Sequence, residues 1–196
     1  MKKNIHHFIA VLFVAVFAAG CASAPSRFYT LNSTAQADGT PEAHYAVVVG
    51  PVSVPAEVDR PQFTVQVAPN QVAVDEFNRW AAPLNNNIAR VVAEDLAVLL
   101  GTPQVSAASL ANFDPAYRVT IDIQRFESVP GKSVLVDAVW VVRKSAGGAS
   151  QSGRTVAGEP VTGADFDALA AAHSRALAKV SSDIAAAIRA KADVKP

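Results

Sequence analysis

Two stretches of the chain repeat apolar residues at helical spacing. Between residues 83 and 100, Ile88, Val91, Val92, Leu96, Leu99 and Leu100 form one stripe, which predicts an amphipathic helix. Pro83 suits its first turn, and Gly101 followed by Pro103 marks its stop. From about 164 to 190 a longer stripe runs through Phe166, Leu169, Ala170, His173, Leu177, Val180, Ile184, Ala187 and Ile188. Ahead of it, Thr162 with Asp165 three residues on resembles a capping box, Asp replacing the usual Glu or Gln.

Elsewhere the period is two. Residues 117–126, YRVTIDIQRF, alternate cleanly, with Tyr117, Val119, Ile121 and Ile123 on one face. That is a strand with one wet or polar-facing side. Residues 133–144, SVLVDAVWVVRK, are apolar on both sides, the pattern of a strand covered on both faces. Pro130-Gly131 between them predicts an antiparallel hairpin, and RTVAGEPV a third strand after a turn-like GGASQSG. Earlier, residues 63–67 and 72–77 flank Pro69-Asn70 as another hairpin. YAVVVGPVSVP is β-like but interrupted at Gly50-Pro51, since Pro donates nothing to a ladder. RFYTL at 27–31 is a short first strand, and the polar NSTAQADGTPEA after it is a loop. These elements predict an α/β domain, a small mixed sheet with two main amphipathic helices. The two-sided strand around Trp140 favours helices on both faces, a three-layer α/β/α arrangement.

The first residues follow a different pattern. Lys2 and Lys3 precede an unbroken apolar run from Phe8 to Ala19, closed by the small residues Ala18, Ala19 and Gly20. A helix of that length rises only about 18 Å, too short for a bilayer core. Residues 1–20 therefore read as a secretory leader. Directly after it stands Cys21, the one cysteine of the sequence. It can form no disulfide within the chain, and a zinc site needs several ligands. Small residues followed by Cys look like a bacterial lipobox, in which the thiol sulfur takes up a diacylglyceryl group before cleavage on its N-terminal side. Ala18 stands where Leu is usual. Several acyl chains on one residue anchor stably, each buried CH₂ contributing about 0.8 kcal/mol. The expected organisation is a leader over 1–20, a lipidated Cys21 with a tether to 26, and a single domain over 27–196.

Composition narrows the function. Without the leader the chain carries 15 basic and 17 acidic side chains, with no run of like charges and no basic excess to attract nucleic acid. No GxSxG, HExxH, GxGxxG or GxxxxGK[ST] motif occurs. Only His44 and His173 lie outside the leader, and His173 falls on an apolar stripe, as a core histidine would. The acidic pairs Asp75-Glu76 and Glu94-Asp95 are adjacent, so their side chains diverge on any regular element. Asp165 and Asp167 in the first turn of the last helix complement its dipole. No catalytic residue, cofactor or metal ligand is assigned.

Two segments go beyond a generic sheet protein: VVVGPVSVPAEVDRPQFTVQ at 47–66 and EFNRWAAPLNNNIARVVAEDLAVLL at 76–100. With Phe28-Tyr29-Thr30-Leu31, Gly50-Pro51-Val52, Asp59-Arg60-Pro61-Gln62 and Arg79-Trp80-Ala81-Ala82-Pro83-Leu84, the chain resembles the ABC-type transport auxiliary lipoproteins, the family of paraquat-inducible protein C. Ala82 stands where that family usually has an acid, so no role is carried to position 82. The resemblance implies a three-layer α/β/α fold and an envelope lipoprotein. It further implies a partnership with an MCE-domain protein and an ABC permease and ATPase that move lipid between membranes. Ala22 after the cysteine, instead of Asp, agrees with sorting to the inner leaflet of the outer membrane under the enterobacterial rule. A homo-oligomer is left open.

Asp59, Arg60, Pro61, Arg79 and Trp80 are the residues to follow. They either form a partner-contact surface, since Trp and Arg concentrate at interface hot spots, or anchor the fold, with Trp80 packed on the sheet and the arginines paired with carbonyls, Asp59 or Asp75. Two other functions remain open beside non-catalytic docking: a membrane-held envelope hydrolase using His44 or His173, and a periplasmic binding module for an apolar ligand.

Overall fold

Strands β1 (Arg27–Tyr29), β2 (Val47–Ser53), β3 (Gln62–Ala68) and β4 (Gln71–Trp80) precede helix α1 (Leu84–Leu100); β5 (Val105–Ser106), β6 (Tyr117–Val129), β7 (Ser133–Lys144) and β8 (Gln151–Pro160) precede helix α2 (Phe166–Asp193). The structure, a computed structural model, describes residues 24–108 and 113–193, so Cys21 and the leader lie outside the described residues. A five-stranded sheet has the order β5-β2-β6-β7-β8, and a three-stranded one the order β1-β4-β3. Both are mixed. β2 runs parallel to β5 and β6, while β6, β7 and β8 are antiparallel neighbours; β1 runs parallel to β4, which pairs with β3 as a hairpin. The fold is α/β.

The layering differs from the sequence expectation. α1 packs on β2 and α2 on β7 and β8, and the helices pack on each other, so both lie on one face of the large sheet. That face carries Val119, Ile121, Ile123, Val136, Ala138, Trp140 and Val142, all buried. On the opposite face Leu135, Val139 and Val141 are half-buried and no described helix covers them. β7 is a central strand: Asp122 and Arg154 stand level with Val139 on either side, and Thr120 and Ser152 with Val141. In-plane neighbours, rather than a third layer, account for the apolar pattern.

Local signals explain most ends. Gly101 takes the left-handed conformation (φ 64°) that closes α1, where a residue without Cβ is favoured. α2 is capped by Asp165 itself, whose Oδ1 accepts the Ala168 N–H at 2.9 Å; with Phe166 as first helical residue, Thr162 is too far upstream for a box. Gly50-Pro51 bulges β2 without ending it: the pairing with β6 shifts between Val49 and Val52, and the bulge accommodates the missing proline donor.

A train of rings joins the layers. Tyr29 and Phe166 meet Phe63 edge-on, Phe63 stacks on Trp80 at 4.0 Å, Trp80 meets Phe126, and Phe126 stacks on His173 at 3.8 Å. The small sheet is thus fastened to β6 and α2 by aromatic contacts, which contribute beyond their buried area.

Candidate docking site

The three motif segments meet at one corner. Asp75 Oδ1 accepts the Phe77 and Asn78 N–H groups at 2.9 and 2.8 Å, folding β4 into a bulge. Burial pushes the Asp75 carboxyl up, but these N–H donors outweigh it and hold it below the usual range. Beyond the bulge Arg79 pairs with Gln62 instead of a residue further back. The Trp80 N–H then donates to the Pro61 carbonyl at 2.7 Å, and the Ala81 N–H to the Tyr29 carbonyl at 2.8 Å. FYTL, DRPQ and RWAAPL are therefore bonded to one another through the backbone.

Trp80 is buried, stacked on Phe63. Arg79 is half-buried, its Nε donating to the Glu76 carbonyl at 2.8 Å and its Nη2 lying 3.9 Å from the Glu76 carboxylate. Asp59, Arg60 and Pro61 are exposed. Residues 59–61 and 80–84 enclose an open pocket of about 400 Å³. Its walls are Pro61, Ala81, Ala82 and Pro83, its floor Trp80 and Leu84, and its rim carries one carboxylate and one guanidinium. Such walls can hold an apolar side chain or acyl segment; they bring together no nucleophile and base.

The histidines lie elsewhere. His44 is exposed in the segment before β2. His173 is fully buried, its Nε2 2.8 Å from Ser128 Oγ. This hydroxyl–imidazole pair has the atoms of a catalytic dyad without the setting: Ser128 is also buried, His173 Nδ1 has no partner among the described residues, and burial pushes the ring down to about 3. A base so weak cannot take up a serine proton near neutral pH. No group of three His, Cys, Asp or Glu among the described residues could hold a metal ion.

A family model for the ABC-type transport auxiliary lipoprotein component matches residues 29–185. The chain belongs to this family. The fold of this auxiliary lipoprotein is shared with a crystal structure of an uncharacterized protein, 18% identical, TM-score 0.69, covering 84% of this chain and 99% of that one. It is equally shared with a Xanthomonas campestris protein of the family DUF330, 19% identical, TM-score 0.67, with the same coverage. At such identities the likeness shows the fold alone. No match was found among curated proteins. Family membership makes the chain a transport-associated lipoprotein of the cell envelope, and no described helix is long and apolar enough to cross a membrane.

One feature of the auxiliary lipoprotein escaped the sequence reading. Glu94 faces solvent with Arg90, whereas its neighbour Asp95 is wholly buried. Asp95 Oδ1 accepts from Ser33 Oγ at 2.7 Å and from the Thr34 and Ala35 N–H groups at 3.2 and 3.1 Å; Oδ2 accepts from Ser181 Oγ at 3.0 Å. Arg90 adds bonds to Thr30 and the Leu31 carbonyl, and Ser174 binds the Asn32 N–H. Residues 30–35, expected as the end of the first strand (30–31) and plain loop (32–35), thus form a strap across both helices. The signal was available: Asp95 lies four residues after Val91 and four before Leu99, on the apolar stripe.

Proposed function

We propose that this auxiliary lipoprotein, cleaved after residue 20 and lipidated at Cys21, sits on the inner leaflet of the outer membrane. There it docks the periplasmic conduit of an MCE-type, ABC-driven lipid transport system without performing catalysis. The observation that carries this reading is the corner where FYTL, DRPQ and RWAAPL converge on an open, apolar pocket. Its backbone is fixed by β-ladder bonds and its rim offers Asp59 and Arg60 to a partner, the composition of a small recognition site. The sealed setting of His173, and an exposed His44 without a partner among the described residues, weigh against the envelope-hydrolase reading.

A photo-crosslinking residue at Ala82, which is exposed on the pocket wall, tests the reading in intact envelopes. An adduct with an MCE-domain protein is expected; adducts formed at the same yield from an exposed site far away, such as Val98, would sink it. The apolar walls also favour a second reading, a binding module for an apolar ligand. Phospholipid co-purifying with the protein and lost in Ala82→Glu would favour that over docking.

A further inference from the structure

Seven large apolar side chains are well exposed among the described residues, and five of them belong to the small sheet: Phe28, Val67, Val72, Val74 and Phe77. Phe63 and Val65 turn inward, so the pairs Thr64–Val74 and Gln66–Val72 put both valines on the outward face. Tyr29 lays its ring on Phe63, so Phe28 beside it also points outward. Phe28 is 64% and Val72 59% exposed, which is far from the burial such residues reach when covered. From Pro61 to Val74 the hairpin carries no charged side chain. Its tip can leave water without stripping an ion.

The strand directions say what covers this face. β1 runs parallel to β4, with Arg27 level with Asn78 and Tyr29 level with Trp80. The chain therefore enters β1 from the side of the hairpin tip. Five residues separate Cys21 from Arg27, a reach over six Cα steps of at most about 20 Å. The hairpin from Gln62, level with Arg79, to Ala68, level with Gln71 at the tip, extends a comparable distance, about 20 Å. A tether of that reach lets a lipid on Cys21 stand level with the uncharged tip.

We propose that the tip and outward face of the β1-β4-β3 sheet seat in the headgroup–acyl boundary of the bilayer that holds the Cys21 lipid. This rests on the lipid attachment proposed above and adds to it a second, protein contact that orients the domain. β4 starts at the tip and ends in the pocket at Trp80. Its membrane end and its partner end are then separated by the length of the paired hairpin, about 23 Å from Pro61 to Ala68.

Cys21, once lipidated, leaves no free thiol, so any cysteine introduced elsewhere is the unique labelling site. The full-length lipidated protein carrying Val72→Cys or Val156→Cys, each with an environment-sensitive fluorophore, is reconstituted into phosphatidylethanolamine–phosphatidylglycerol vesicles doped with brominated phospholipid. Val156 lies on β8 in the large sheet, is 57% exposed and serves as the dry-land control. In vesicles that float with the protein, the label at 72 is expected to shift to the blue and lose about half its emission to the brominated chains, the depth of an interfacial contact, while the label at 156 changes in neither respect. Floating protein with both labels water-like overturns the membrane seat and leaves the anchor standing. A blue shift at 72 without quenching assigns the face to a second copy of this chain and also overturns it. Protein that fails to float removes the anchor, and the proposal falls with it.

Discussion

His173 and Asp95 are both fully buried polar groups, and the fold treats them oppositely. His173 is kept neutral by burial alone, with Ser128 Oγ as its hydrogen-bond partner and Phe126 against its ring. Unfolding frees the ring to protonate near its ordinary value of 6.5. Below that pH the unfolded chain binds a proton that the folded chain refuses, so stability falls as pH drops. The loss is up to about 1.4 kcal/mol per pH unit and stops where the folded ring itself protonates, at about 3. Urea midpoints from pH 7.5 to 5 are expected to show this slope in the wild type and a shallower one in His173→Leu. Parallel slopes would show that the ring is not held neutral.

Asp95, by contrast, is satisfied by four donors. Asp95→Ala takes the acceptor from the Ser33 hydroxyl and the Thr34 and Ala35 N–H groups and is expected to cost about 3 kcal/mol. Asp95→Asn is expected to cost less than about 1 kcal/mol: its oxygen can keep the strap N–H groups, and its amide can donate to Ser181 Oγ, whose hydrogen turns to the Leu177 carbonyl 2.9 Å away. Equal losses in a denaturant titration would contradict this assignment of bonds. Both residues lie on apolar stripes, so their burial was legible in the period. Their partners were not, because Ser128 and the strap come from segments 45 and about 60 positions away.

At the scale of elements, the helices and the two long hairpins were readable because strong periodicity coincided with Pro and Gly punctuation. β5 was not: it is two residues long and exists only because β2 offers it an edge. β8 was legible only in its second half. Its start, Ser152 and Gly153, reads as a turn, yet Gly153 pairs with Trp140 and a Cβ there would come within 2.2 Å of the indole. The indole is held in place by its Nε1–H donating to Thr155 Oγ1 at 3.1 Å. Gly153→Ala must displace a buried ring, an overpacking change expected to cost about 1–3 kcal/mol. Thermal melting checks it; rescue by adding Trp140→Phe, which removes the indole's far ring, is expected to recover part of the loss. An unchanged melting temperature in the single variant would refute the close approach.

For the whole molecule, the class was readable and the number of layers was not. A strand apolar on both sides argues for cover on both sides, but neighbouring strands can shield an outer face as well as a helix can. The docking corner was half legible. DRPQ and RWAAPL stood out as motifs, while their meeting depends on the Asp75 bulge, a single carboxylate gathering two backbone N–H groups. The attachment at Cys21 belongs to this scale too. Cys21→Ser is expected to move the protein from the envelope membrane fraction to the soluble periplasm, followed by fractionation and blotting. A variant that stays in the membrane would overturn lipidation as the anchor.

The strap has a mechanical consequence. β1 contributes only three residue pairs to its sheet, all with β4. Tension on the chain ahead of Arg27 runs along that strand and loads the three pairs in shear. Once they slip, the pull reaches residues 30–35, where Arg90, Asp95 and Ser174 grip the chain from both helices. Force applied at the tether would thus be carried by the helix pair, with a buried carboxylate as the cleat.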